Sequence, residues 1–273
     1  MKRRFSIVVT ALNPGEKLEE TVRSILQQTY QNYEIVVKDG LSRDGSVDEL
    51  ECRYPEEPRL RIFREADRSI YEGMNQAIAH CEGEYLFFLN CGDRFYDAKV
   101  LEQVDAFLSG SGEEIGIAYG NLYNETTGSQ ITPAPVMNDF ACYRNVPCHQ
   151  TCFYHYSMFE KRVYEPKYRV RGDYEHFLWC HFVQKAAIRY MDVIVSYYEG
   201  GGFSETKANV KRSKQEHREI TAQYMSPWKR AGYRTILILT LAPLRSAIAG
   251  QPRLSRVYNR LKKFVYGKKR TKS

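Results

Sequence analysis

Asn90-Cys91-Gly92-Asp93 closes an apolar aromatic run, Glu84-Tyr85-Leu86-Phe87-Phe88-Leu89, that reads as a buried strand. A carboxylate at the end of such a strand, with Gly92 giving close backbone access, suits a divalent cation that holds a diphosphate. Ordinary turn chemistry also places Asn, Gly and Asp after a strand, so the wider pattern decides. Three more polar clusters end strand-like segments: Thr10-Ala11-Leu12-Asn13, Asp39-Gly40 and Glu65-Ala66-Asp67-Arg68. In an open parallel sheet those ends share one edge, where residues distant in sequence converge. Asp39 or Asp67 can accept hydrogen bonds from a ribose or a base N–H, and Arg68 offers a planar fork to a phosphate. Asp93 can hold a cation that neutralises a departing diphosphate. Singly, Asp39 is a turn former and Asp67–Arg68 a surface pair. Their common placement points to a nucleotide-type site.

The chain has no Walker phosphate loop, no G-x-G-x-x-G after its first strand and no G-x-S-x-G elbow. An ATPase, a dinucleotide oxidoreductase and a serine hydrolase are thereby disfavoured. What remains is transfer from an activated donor to a hydroxyl deprotonated by a carboxylate or His, with His149, Asp173 and Glu175 as candidates. Seven cysteines include no pair at the two-residue spacing of a zinc knuckle or a thioredoxin-like motif. Cys148-x-x-x-Cys152 beside His149 has no second cluster to complete four zinc ligands. Reduced thiols fit a cytosolic protein. Phe5 to Leu12 is too short and too polar-ended for a signal peptide.

The elements that must position these residues alternate. Phe5–Leu12 is a continuous β-branched run expected as a buried parallel strand, and Asn13-Pro14-Gly15 breaks it. Glu16–Gln28 aligns Leu18, Val22, Ile25 and Leu26 on one helical face. Strands follow at Tyr33–Lys38 and Leu60–Phe63, with helices at Ser42–Tyr54 and Ile70–Cys81. This alternation predicts an α/β domain built on a mainly parallel, Rossmann-like sheet flanked by helices. Further on, strands are expected at Ile115–Leu122, Gln150–Tyr154 and within Ile188–Tyr198, and helices at Asp173–Gln184 and Lys211–Tyr224.

Charge divides the chain. From Glu205 to Ser273 there are 18 Lys/Arg against 3 Asp/Glu, while the preceding residues hold 22 against 30. An acidic body with a basic tail predicts an anionic partner for the tail. Thr235–Ile248 puts Leu237, Leu241, Leu244 and Ile248 on one face, short of the ~20 residues that span a bilayer. It suits the membrane interface, with Lys262, Lys263, Lys268, Lys269, Arg270 and Lys272 meeting anionic lipid. The competing expectation is a helix packed on the body and a solvated end.

Several blocks resemble family 2 glycosyltransferases. Ser6-Ile-Val-Val-Thr-Ala-Leu-Asn13, Ser24-Ile-Leu-Gln-Gln-Thr-Tyr30 and Tyr33 to Ser46 are similar to that family's opening, and Asp67 to Ala77 and Phe87 to Asp93 to its next blocks. Cys148-His-Gln-Thr-Cys-Phe153, Arg171-Gly-Asp-Tyr-Glu-His-Phe-Leu178 and Gly200-Gly-Gly-Phe-Ser204 resemble later blocks of its bacterial polysaccharide branch. The resemblance implies a GT-A fold over residues 1–215, and the basic helical extension at 216–273 lies outside it. It implies inverting sugar transfer from a nucleotide-diphosphate sugar, a UDP-sugar on family grounds, with Mn²⁺ or Mg²⁺. The acceptor would be a lipid-linked or saccharide hydroxyl in cell-surface polysaccharide synthesis at the inner membrane face. Thr10, Asn13, Asp39 and Asp67 would hold the nucleoside, Arg68 its phosphate side, with Asn90 and His149 also contacting donor or acceptor. Asp93 would be the metal-binding end of a D-x-D-like motif, and Asp173, preferred to Glu175, the base.

Two departures from that pattern stand out. Asn90 or Cys91 takes the place of the first Asp of D-x-D, leaving one certain carboxylate for the metal. Gly172 stands where many relatives carry an acidic residue. The alternatives are a nucleotidyltransferase, which would release pyrophosphate, and a nucleic-acid-binding protein using the tail. Stacking aromatics are sparse in that tail, with Tyr258, Phe264 and Tyr266 the main candidates, so no nucleic-acid partner is expected.

Overall fold

The computed structural model describes residues 3–198, 200 and 206–240. The Gly201–Ser204 part of the last resembling block and the polybasic run after residue 240 lie outside them. Strand β1 (Phe5–Ala11) sits inside the sheet with nearly every side chain buried on both sides. Phe5, Ile7, Val9 and Ala11 enter one core and Val8 the other, the alternation that a strand imposes. Strands β2 (Tyr33–Asp39) and β4 (Tyr85–Phe88) flank it, both parallel, and β3 (Leu60–Arg64) adds outside β2, also parallel. This half matches the parallel expectation strand for strand.

Beyond β4 the sheet becomes mixed. The order β3-β2-β1-β4-β8-β6-β9-β5 continues through β8 (Cys152–His155), β6 (Ile117–Asn124), β9 (Ile188–Tyr198) and β5 (Arg94–Phe95), with β7 (Ser129–Ile131) paired to β6. β8 runs antiparallel to both β4 and β6, whereas β6 and β9 are parallel.

Helices cover both faces. One core receives α1 (Lys17–Leu26), α2 (Ser46–Arg53) and α4 (Val100–Ser109). The other receives α3 (Ile70–Ala79) and α7 (Gly172–Trp179), together with α8 (Lys207–Tyr224) through Ile220. Two short helices, α5 (Asp139–Arg144) and α6 (Ser157–Glu160), complete this side. On α1 the buried face is Leu18, Thr21, Val22 and Ile25, close to the expected stripe. α7 is shorter than expected because its continuation, Cys180–Gln184, winds in wider π-type turns and stops at Lys185, whose φ of 56° is left-handed.

The last described helix, α9 (Pro227–Leu239), starts earlier than the expected Thr235–Ile248, behind a Ser226 cap and Pro227 in its first turn. It rests on α5 through Lys229 Nζ to Asp139 Oδ2 (2.6 Å) and through Tyr233 against Phe140 and Tyr143.

Candidate active site

A cavity of about 720 Å³ opens where β1 and β4 end. Thr10, Asn13, Asn90, Asp93, His149 and Asp173 all line it, although they come from four separate stretches of chain. Asp39, Asp67 and Arg68 are not on its wall. Each is held by local hydrogen bonds.

The loops after β1 and β2 are laced together. Asn13, in the left-handed region at φ 48°, donates its N–H to Ser42 Oγ (2.8 Å) and accepts the Arg43 N–H on Oδ1 (2.8 Å). The buried Asp39 carboxylate accepts the Ser42 N–H (3.1 Å) and hydroxyl (2.5 Å). Asp67 pairs with Lys38, whose ammonium is fully buried and also donates to the Glu65 carbonyl (2.6 Å). A buried charge needs such full pairing. Gly40 makes room for it, since a Cβ there would stand 2.8 Å from Asp67 Oδ2. Arg68 is exposed, and its N–H donates to Glu72 Oε2 (2.8 Å).

At the end of β4, Gly92 takes φ +96°, which glycine adopts without strain. Thr21 of α1 anchors this turn, accepting the Gly92 N–H (2.9 Å) and donating to the Asp93 carbonyl (2.8 Å). Asp93 is 5% exposed, and its Oδ2 accepts from Gln150 Nε2 (2.9 Å). Burial, with the nearby Asp93 charge next, pushes the Cys91 thiol up to about 12, so it is not a thiolate nucleophile at neutral pH.

A polar chain then crosses the cavity. Asn90 Nδ2 donates to His149 Nε2 (2.8 Å), which assigns the proton to Nδ1, and Nδ1 faces Asp173 Oδ2 at 3.3 Å. Asp173 Oδ1 accepts the Tyr71 hydroxyl (2.9 Å) and the Tyr174 N–H (2.8 Å). About a quarter of the Asp173 side chain, 23%, remains exposed. Burial pushes its pKa up, but the bonds from His149, the Tyr174 N–H and Tyr71 outweigh that, and the carboxyl sits below its usual range. It is therefore ionised at neutral pH. Glu175, two residues on, points away: it is buried against Arg162 Nη2 (2.9 Å) and the Tyr224 hydroxyl.

Gly172 now has a physical reason. A Cβ there would lie 2.8–2.9 Å from the Tyr71 ring, so glycine lets that ring close over the start of α7 and reach Asp173. Sequence reasoning missed Tyr71, Thr21 and Gln150. Tyr71 stood inside a quoted block, but its hydroxyl acts only because α3 packs beside α7, roughly a hundred residues later.

The donor set bears on the expected cation. Among the described residues no group of three or more His, Cys, Asp or Glu side chains converges on one point. Asp93 and the Asn90 amide oxygen are hard oxygen donors of the kind Mg²⁺ and Mn²⁺ prefer. They fit a cation shared with a diphosphate, not a centre made by protein ligands alone.

The fold agrees with that of similar proteins. The model of glycosyl transferase family 2 matches residues 6–165, and the chain belongs to that family. A PGL/p-HBAD biosynthesis glycosyltransferase of Mycobacterium bovis is 34% identical over 205 residues, which are 74% of this chain and 79% of the relative. Its counterpart in Mycobacterium tuberculosis gives the same figures. Among solved structures, S. aureus TarS 1–349 in complex with UDP superposes with a TM-score of 0.66 at 14% identity, over 84% of this chain and 69% of that one. A mannosyltransferase from Pyrobaculum calidifontis, in complex with GDP-Man and Mn²⁺, gives 0.61 at 15% identity over 95% and 84%. These likenesses show the GT-A fold. The protein is a family 2 glycosyltransferase.

Proposed function

We propose that this enzyme transfers a sugar with inversion from a nucleotide-diphosphate sugar, a UDP-sugar, to a hydroxyl of a lipid-linked or saccharide acceptor in cell-surface polysaccharide synthesis. One observation carries the reading: the Asp173 carboxylate lines the same cavity as Asp93. Asp173 accepts the proton of the acceptor hydroxyl as its oxygen attacks the anomeric carbon. The bond from that carbon to the diphosphate oxygen breaks in the same displacement, and nucleoside diphosphate leaves. His149 and Tyr71 hold Asp173 ionised and aimed, and Asn90 fixes the His149 ring. Thr10 and Asn13 line the donor end, while Asp39 and Asp67 brace its loops.

Asp93 and Asn90 would hold Mn²⁺ or Mg²⁺ there, and such a cation offsets the charge that builds on a leaving diphosphate. The UDP complex of TarS supports the choice of donor, and the Mn²⁺ complex of the mannosyltransferase supports a cation.

Residues 1–215 form the transferring domain in this reading, and 216–273 an extension toward an anionic membrane surface at the cytoplasmic face. Among the described residues no helix is long and apolar enough to cross a membrane. α9 instead leaves Trp228 88% and Leu239 76% exposed, beside Arg230 and Arg234. That pattern suits an interfacial helix.

Product analysis tests the reaction. With a panel of UDP-sugars and a saccharide acceptor, UDP should be released and NMR should show the opposite anomeric configuration in the product. Retained configuration, or pyrophosphate in place of UDP, would contradict it.

A further inference from the structure

Glu216 lies on α8, beyond residues 6–165 that the family model matches. It is 4% exposed, yet its carboxylate is well satisfied. Oε1 accepts the Arg169 N–H (2.9 Å) and Arg212 Nε (2.8 Å). Oε2 accepts the N–H groups of Val170 (3.0 Å) and Arg171 (2.9 Å). Three consecutive backbone N–H groups converging on one carboxylate form an anion-binding nest, here filled by the protein itself. A second tie lies beside it, because Arg171 Nε donates to Ser213 Oγ (2.8 Å) and to the Ser213 carbonyl (3.0 Å).

This nest fixes the segment that leads into Asp173. Arg169 and Val170 line the cavity, and Gly172 and Asp173 follow at once. The Val170 carbonyl accepts the Tyr71 hydroxyl at 3.0 Å, and Asp173 Oδ1 lies 2.9 Å from the same oxygen. The hydroxyl has one proton to divide between those acceptors. Where Val170 sits therefore governs how much of that proton serves Asp173.

We infer that Glu216 is a positioning residue for sugar transfer, acting from α8 through the Arg169–Arg171 backbone and Tyr71 on Asp173. The inference rests on the proposed role of Asp173. It also makes α8 a working part of the site and the physical link between the site and the C-terminal extension.

The test uses Glu216→Gln in the full chain, with Asp173→Asn and the double variant beside it. The kcat of Glu216→Gln should fall on the order of a hundredfold, as a displaced reacting group does, with donor KM little changed. The acid limb of its pH profile should shift, because moving the Val170 carbonyl changes the share of the Tyr71 proton that Asp173 receives. The double variant should be no slower than Asp173→Asn alone.

Unchanged kcat and acid limb in a folded Glu216→Gln variant would overturn the inference. So would kcat and KM worsening in step with thermal stability while the acid limb stays in place. Should Asp173→Asn keep full activity, the proposed base fails separately. A ¹³C NMR titration of the Asp173 carboxyl then still decides the positioning claim without turnover: a shifted pKa in Glu216→Gln supports it, and an unmoved pKa refutes it. If Glu216→Gln does not fold, Ser213→Ala, which loosens only the second tie, should still shift the Asp173 pKa, and no shift would count against the link.

Discussion

Asp173 keeps its charge because His149, Tyr71 and the Tyr174 N–H outweigh the cost of its burial. The direction of that balance sets a pH signature. A carboxyl held below its usual range stays ionised as pH falls, so Asp173 alone leaves activity level down to the ordinary carboxylate range near ~4. In His149→Ala the largest compensating bond is lost, the Asp173 pKa rises, and the acid limb of kcat should move to higher pH. A pH–rate comparison of the two proteins checks this, and an unmoved limb would deny His149 that part. At this scale Asn90 and Asp93 were legible as the polar end of an apolar strand, and His149 and Asp173 through the blocks that resemble the family. Asp39 and Asp67 were legible as polar strand ends only. That Ser42 and Lys38 occupy their carboxylates depends on loop geometry that spacing does not encode.

The strands and helices that carry these residues follow rules of period and burial as far as β4. Continuous apolar runs became central parallel strands, and stripes at helical spacing became α1 and α3. The second half was harder to foresee. α4 has an amphipathic stripe at Val100, Leu101, Val104 and Leu108 that was readable but not read. The antiparallel insertion of β8 between β4 and β6 was not readable, because local pattern cannot tell which neighbour a buried strand will choose. Gly172 belongs to this scale too, since it sets how closely α7 approaches α3. Gly172→Ala should cost about 1–3 kcal/mol of stability by overpacking Tyr71. It should lower kcat more than that loss alone would, and urea unfolding paired with steady-state kinetics measures both. An unaffected enzyme would show that the close approach is idle.

Over the whole molecule, charge is segregated, with 18 of the 40 basic residues in the last 69 positions. α9 hands that segment on from the body, presenting Trp228 and Leu239 to the surroundings. Flotation with anionic vesicles should recover the full chain, and recovery should fall as added salt shortens the screening length. A version ending at Thr240 should bind more weakly, and neutral vesicles should recover little of either. Equal recovery of both versions would remove the tail from the account. The fold itself was legible at this scale from strand–helix alternation. The coupling of α8 to the site was not, because Glu216 reads in sequence as one more charge on a polar helix.

The most direct test of the central claim is Asp173→Asn, measured for both donor binding and transfer. Asparagine keeps the shape of the side chain and its bond to the Tyr174 N–H but cannot accept the acceptor's proton at neutral pH. The account predicts UDP-sugar binding close to that of the unaltered enzyme, read by calorimetry, with sugar transfer abolished. Transfer at the unaltered rate, with binding intact, would contradict it.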